Sequence, residues 1–260
     1  MNPITLRQIA IALAIAPLLI TLFIKAQAPD PIRHHRILSS LHKIESMNAE
    51  IDILTLQFRY RLQSNYDGLV FAVKEIGLRY QELTEGEDAI YNKGNEKIDR
   101  VIQDLGKAIS QKEELVEGFK SHNAVLNNSL YYFPRLVEET TRLVPVYRNL
   151  HSRLQSLMHD LLMLHMGMGY ENSFGKTENA IRQVEGGIYP SPAVKENIKR
   201  LAQHAKYILM FEREVSLRIE QITSATTHDL VRELTSGYEE SFNRSFKIAN
   251  YYYLFIYISQ

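Results

Sequence analysis

The segment Ile37–Leu62, ILSSLHKIESMNAEIDILTLQFRYRL, decides the fold class because its apolar residues recur at intervals of three and four. That spacing places them on one face of an α-helix. The same seam continues to Leu83, and Asp30-Pro31 before it offers a capping carboxylate and a proline suited to a first helical turn. We therefore predict one amphipathic helix from Asp30 to Leu83, about 80 Å long.

The rest of the chain repeats this pattern with breaks that are rich in glycine, proline and polar residues. We predict a turn at 84–95, a second helix from Ile98 to Phe133 that Pro134 bends or ends, a third from Leu136 to Leu164, a short one at 176–185, and a last long segment opened by Pro192 and interrupted by TSATTHD. No long stretch alternates as a strand does. The predicted fold is all-α: an elongated antiparallel helical bundle of two stacked helical modules, with an N-terminal transmembrane helix.

Composition excludes several classes of function. Thirty Lys and Arg residues balance thirty Asp and Glu residues, so no net charge attracts nucleic acid, and we expect no nucleic-acid partner. Cysteine is absent, which rules out disulfides, a thiolate nucleophile and cysteine-ligated metal sites.

The N-terminus carries a charge-free run, Ile9–Ile24, IAIALAIAPLLITLFI, between Arg7 and Lys25. With Ile4–Gln8 it is long enough to span a bilayer of about 30 Å. The alternative is a cleaved signal peptide, since Ala26-Gln27-Ala28 has the small-x-small form of a cleavage site. Lys25 and Pro29 on either side of that triplet favour an uncleaved anchor.

The C-terminus, Ile248–Gln260, is apolar and rich in tyrosine. Tyrosines of this kind are typical of the interface at which a helix enters a membrane. Thirteen residues are too few to cross, so we interpret the segment as the start of a truncated second transmembrane helix; the alternative is a terminal helix packed on its own domain. The predicted domains are therefore a membrane anchor at 1–28, an all-helical domain at 29–247 and this second membrane segment at 248–260.

Motifs for catalysis or metal binding are lacking. No histidine has a glutamate three residues earlier, as a di-iron bundle requires, and there is no His-Glu-x-x-His or glycine-rich phosphate loop. We expect no enzyme, no metal site and no cofactor. The methionines and histidines of LMHDLLMLHMGM, residues 157–168, could ligate copper(I) or a b-type haem, but the segment shares the core seam, which favours methionine as core filling.

The segment Glu117–Pro134, EGFKSHNAVLNNSLYYFP, places a polar stripe of Lys120, Asn123 and Asn127 beside an apolar one. Either this stripe borders solvent or it faces a polar interior. FKSHNAVLNNSLYYF within it, together with RYRLQSNYDGL at Arg59–Leu69, resembles the motifs of the DAHL (double all-helical ligand-binding) domain, with Gly68 standing where proline is frequent. The resemblance covers about Asp30 to Lys247.

The resemblance implies an extracytoplasmic sensor domain of bacterial sensor histidine kinases or diguanylate cyclases. We expect a periplasmic domain, anchored in the bacterial inner membrane, that binds a small, for instance anionic, ligand between helices and relays a helix shift to a cytoplasmic signalling partner, as a homodimer. The predicted ligand-binding residues are Arg59, Tyr66, Lys120, Asn123, Asn127 and Ser129, and the predicted structural residues are Asp67, Phe119 and Asn128. The alternative is a membrane-tethered helical scaffold or assembly module that senses nothing.

Overall fold

The computed structural model describes residues 17, 20, 21, 23, 24, 29–86, 89–90, 95–143, 148–169, 172–189 and 191–258. Its helices are α1 (Pro31–Arg59), α2 (Asp67–Glu85), α3 (Glu96–Leu143), α4 (Arg148–His165), α5 (Ser173–Glu185), α6 (Pro192–Thr223) and α7 (Thr227–Ile258). Throughout these ranges no residue lies in a strand. The all-α prediction is confirmed.

The predicted single helix from Asp30 to Leu83 is wrong, because the chain leaves the helix between Arg59 and Asp67. Its start is as predicted: the Asp30 carboxylate accepts a hydrogen bond of 2.8 Å from the Ile32 N–H. The seam ends with the helix, and Leu62, predicted to be in the core, is exposed. Leu62 lies in the break and no longer shares the buried face of α1.

Pro134 neither ends nor separates helices, since α3 runs through it to Leu143. A proline inside a helix costs about 3 kcal/mol, because it removes a backbone hydrogen bond and crowds the preceding turn. Phe133, Leu136 and Val137 beside it are buried. Each such side chain contributes about 1.5–3 kcal/mol, which is enough to offset the proline.

The later boundaries follow the predicted punctuation. α4 ends at His165, before Gly167, and α5 ends at Glu185, where Gly186 is the C-cap residue. Ser191 caps α6, its hydroxyl accepting a hydrogen bond of 3.3 Å from the Val194 N–H, and Pro192 occupies the first turn. These residues end or start helices through interactions within a few positions of the chain, so the sequence alone can reveal them.

The chain divides into two compact units. The first comprises Met1–Ile51, Val70–Ser110 and Thr226–Gln260, and the second comprises Asp52–Leu69 and Gln111–Ala225. The elongated shape and the stacking of two modules stay predictions.

The first unit has an aliphatic core from α1, α2, α3 and α7. Ile44, Leu83, Leu105 and Leu234 are among its buried residues. Near the start of α1, the His34 ring stacks on Phe242 of α7 with centroids 3.7 Å apart.

The second unit contains the polar stripe of α3, and the candidate site lies beside that stripe. α4, α5 and α6 pack on one another within it. Its core includes Phe58, Phe119, Leu126, Leu157 and Val215. Among the described residues, no helix combines the length and the apolar content that crossing a bilayer requires. Most of the predicted membrane segment Ile9–Ile24 lies outside the described residues.

Candidate functional site

The site is built around the C-terminal end of α1. Arg61 has a φ of 57°, in the left-handed region, and the Leu62 N–H donates to the Gln57 carbonyl at 2.9 Å while the Arg61 N–H donates to the Phe58 carbonyl at 3.2 Å. This pair of bonds is the Schellman motif, which normally places glycine at the left-handed position. Arginine there costs about 1–2 kcal/mol of backbone strain.

Side chains of α3 hold this strained end in place. Arg61 Nε donates to Asn127 Oδ1 at 2.8 Å and its Nη2 donates to the Asn127 carbonyl at 2.5 Å. One turn earlier, the buried Asn123 donates from Nδ2 to the Phe58 carbonyl at 3.3 Å and to the Tyr66 hydroxyl at 2.9 Å. The polar stripe of α3 therefore faces the end of α1, and two of its three residues bind it.

Two residues of the RYRLQSNYDGL motif complete this junction. Tyr66 stacks on Phe58 with ring centroids 4.3 Å apart. Asp67 starts α2, and its N–H donates to Asn65 Oδ1 at 2.8 Å while Asn65 Nδ2 donates to its carboxylate at 2.6 Å. The exposed Asp67 thus has a structural contact, with the side chain of Asn65.

Arg59, the last residue of α1, lies in a buried ionic network. Its guanidinium makes a bidentate ion pair with Glu212 of α6, and Nη2 also donates to the His165 carbonyl at 3.1 Å. Both side chains of the ion pair are almost fully buried. Burial makes the pairing obligatory, because an unpaired charge in this position would lose its hydration without compensation.

His165 Nδ1 joins the network at the end of α4. It lies 3.0 Å from Glu212 Oε2 and 3.2 Å from Arg59 Nη1. A protonated Nδ1 donates to the carboxylate, whereas a bare Nδ1 accepts from the guanidinium, so the tautomer decides which contact is a hydrogen bond. Burial alone would raise the pKa of Glu212, but the hydrogen bonds and charges of His165 and Arg59 outweigh it and hold that pKa below its usual 4.5.

This network forms one wall of a cleft of about 460 Å³ in the second unit. Tyr60, Met166 and Phe174 contribute exposed apolar surface to the cleft. Arg213, which is exposed, also lines it and has no ion-pair partner among the described residues. The cleft therefore combines a neutralised ionic wall, an apolar surface and one available cation.

The structure does not bring Lys120 to Arg59. The Lys120 ammonium pairs with Glu117 on its own helix at 2.8 Å, and the described residues that line the Arg59 cleft do not include it.

The remaining predicted positions of α3 differ in environment. The buried Ser129 hydroxyl lies 3.3 Å from His204 Nδ1, Phe119 is buried in the core, and Asn128 is exposed. Of the six predicted ligand-binding residues, Arg59 is the one that lines the cleft. Asn123 and Tyr66 contact each other directly, and Asn127 contacts Arg61, just after the end of α1.

Glu212 and His165 are site residues that sequence reasoning missed. Glu212 occupies a position of the apolar seam of α6, between the buried Ile208 and Val215 at spacings of four and three. A carboxylate at a position that faces the core needs a buried partner. The position of Glu212 within the apolar pattern could therefore have identified it from the sequence.

The methionine and histidine segment 157–168 serves several roles. Leu161 and Leu164 are core residues, as predicted, whereas Met166 and Met168 are exposed and fill no core gap. Within the described ranges, no three His, Asp or Glu side chains cluster to hold a metal ion.

A search of curated proteins found no significant match to the chain. The model of the DAHL domain matches residues 29–253, which is most of the sequence and includes both the α1–α2 junction and the polar stripe of α3. The chain therefore belongs to the DAHL domain family, a sensor-type family of helical domains.

Proposed function

We propose that this chain is a membrane-anchored sensor domain that binds a small ligand in the Arg59 cleft. The observation that carries the proposal is a buried, charge-compensated network that opens on a cleft large enough for a small molecule. Binding sites typically combine an apolar lining with a few polar groups held in fixed positions. The ion pair fixes Arg59, and the Schellman end and its α3 contacts fix the backbone that carries it.

An anionic ligand fits the charges of the cleft. Arg213 is the cation available to receive it, while Tyr60 and Phe174 receive an apolar or aromatic body. Arg59 is already saturated by Glu212, so a ligand carboxylate reaches it only by displacing that glutamate. Such an exchange would separate α1 from α6, and a ligand that drives it would have different affinities for the two arrangements.

The relay proposal follows from the extent of α1. This helix starts at Pro31, next to the proposed N-terminal anchor, and ends at Arg59 in the cleft. A ligand-driven displacement of its C-terminal end would be carried along it towards a bacterial inner membrane, with the main domain in the periplasm. Tyr251, Tyr253 and Tyr257 near the end of α7 are exposed, as a second membrane entry requires. In this proposal the chain acts as a homodimer, and any enzymatic output belongs to a cytoplasmic partner.

A small-molecule screen by thermal shift on the full chain in detergent tests the proposal. We expect an anionic compound to raise the melting temperature and Arg213→Gln to reduce its affinity about tenfold, which corresponds to about 1.4 kcal/mol. Arg142→Gln is the matched control, since this exposed arginine pairs with Glu138 one turn away and with no other residue that the structure describes. Equal loss in both variants would contradict the cleft as the site. A screen without any hit would favour the scaffold alternative.

A further inference from the structure

A second cavity lies between α4 and the start of α5; it shares Gly169 with the Arg59 cleft but includes none of Arg59, His165 and Glu212. Its volume is about 430 Å³, and it is lined on one side by His159, Asp160 and Met163 and on the other by Ser173, Lys176 and Thr177.

The first feature of this cavity is an uncapped helix N-terminus. Asn172 is the N-cap residue of α5, but its side chain makes no capping hydrogen bond, and the first turn contains no acidic residue. Free N–H groups at the start of a helix, together with the helix dipole, favour a negatively charged group.

The second feature is a buried hydroxyl group with no partner. Thr177 is 1% exposed, and its Oγ1 has no hydrogen-bond partner among the described residues. Leaving a buried hydroxyl unsatisfied is unfavourable, and such groups are rare in folded proteins. A ligand oxygen in the cavity would give Thr177 the hydrogen-bond partner that the protein does not supply.

The third feature is a loose pair of opposite charges. The Lys176 ammonium lies 3.9 Å from the Asp160 carboxylate, which is longer than an ordinary hydrogen bond. The side chain of Asp160 is largely buried, whereas that of Lys176 is mostly exposed and free to change rotamer. Each can therefore take a ligand group of opposite charge without breaking a tight contact.

We propose that this cavity binds a small zwitterion of the amino-acid class. The ligand carboxylate lies at the N-terminus of α5, where Ser173, Thr177 and Lys176 donate to it. Its ammonium group binds Asp160, and its side chain contacts the thioether of Met163. A simple anion is disfavoured because Asp160 would repel it, and a simple amine is disfavoured because it leaves the helix N-terminus and Thr177 unpaired.

The test is calorimetric titration of the full chain in detergent with the twenty amino acids. For the best binder, its decarboxylated amine and its deaminated acid are then compared; for leucine these are isopentylamine and 4-methylpentanoate. We expect saturable binding of at least one amino acid and at least tenfold weaker binding of both analogues. Absence of binding by all twenty, or equal binding of the deaminated acid, would overturn the proposal.

Thr177→Val and Thr177→Ser separate recognition from structure. Valine matches threonine in shape and removes the unpaired hydroxyl, so the ligand-free melting temperature should stay the same or rise while affinity falls about tenfold, whereas serine should retain affinity. Arg213→Gln in the other cleft should leave the affinity unchanged. Loss of binding in Arg213→Gln together with full binding in Thr177→Val would place the ligand in the Arg59 cleft and refute this site.

Discussion

Glu212→Gln removes the negative charge of the buried network while preserving the size of the side chain. Arg59 and Glu212 have side chains only 7% and 4% exposed, so the substitution leaves an almost fully buried guanidinium opposite a neutral amide. Breaking a buried ion pair by removing one partner costs about 3–5 kcal/mol. Glutamine still offers one carbonyl oxygen to Arg59, so we expect the lower end of that range, about 3 kcal/mol.

Urea unfolding at pH 7 measures this change in the free energy of unfolding. With a denaturant slope of about 3 kcal/mol per molar, the midpoint should fall by about 1 M. Glu138→Gln is the matched control, because Glu138 forms an exposed pair with Arg142 that contributes less than about 1 kcal/mol. The double variant Arg59→Met/Glu212→Leu should recover most of the lost stability, since apolar residues leave no unpaired charge.

The loss should also depend on pH in a defined direction. The pKa of Glu212 is below its usual 4.5, so the folded state favours the ionised carboxylate. Its contribution is therefore complete above pH 4.5 and is lost as the pH falls through the lower, folded-state pKa. The difference between wild type and Glu212→Gln should shrink below pH 4.5. A difference under about 1 kcal/mol at pH 7, or one that stays constant down to pH 3, would refute the buried-pair argument.

Three further substitutions test the packing around the site and in the first unit. Arg61→Gly should be more stable than Arg61→Ala by about 1 kcal/mol in urea unfolding, because both lose the side chain but only glycine relieves the left-handed backbone; equal stabilities would argue against that conformation. Asp52→Asn should destabilise by about 1.5–3 kcal/mol, because its carboxylate accepts a 2.7 Å bond from the buried Lys112 ammonium; an unchanged urea midpoint would contradict this role. Gly106→Ala should lower the melting temperature although alanine favours helix, because the new Cβ would lie 2.3 Å from the Tyr80 hydroxyl; a raised melting temperature would show that the ring moves away freely.

The break between α1 and α2 shows where local pattern misleads. Helix ends are recognised in sequence from glycine, proline or a serine cap, and such residues stand at the end of α4 and at the start of α6. At Arg61 an arginine takes the left-handed conformation that glycine usually takes. The strain is offset by contacts with Asn127, which is 66 residues away, so no local rule reports it.

The charged residues of the candidate site show the same difference between what local sequence predicts and what contacts between distant residues decide. Sequence reasoning selected Arg59 and Asn123, and both are buried: Arg59 is the last residue of α1, and Asn123 of α3 donates to the carbonyl of the neighbouring Phe58. It placed Arg59 and Lys120 in the same ligand-binding set, but in the structure Arg59 pairs with Glu212 and Lys120 pairs with Glu117. Electrostatic pairing depends on distance in space, and Glu212 is separated from Arg59 by 153 positions in the chain.

The sequence by itself determined that this protein is all helix and approximately where most helices begin and end, because apolar spacing and capping residues act over a few positions. It also identified the polar stripe of α3 and the family motifs that carry it. The tertiary structure alone decided which charges neutralise one another and that Thr177 stays unpaired beside a cavity. The physical reason is burial: a charge or hydroxyl removed from water depends on the partners that the packing of distant helices places beside it.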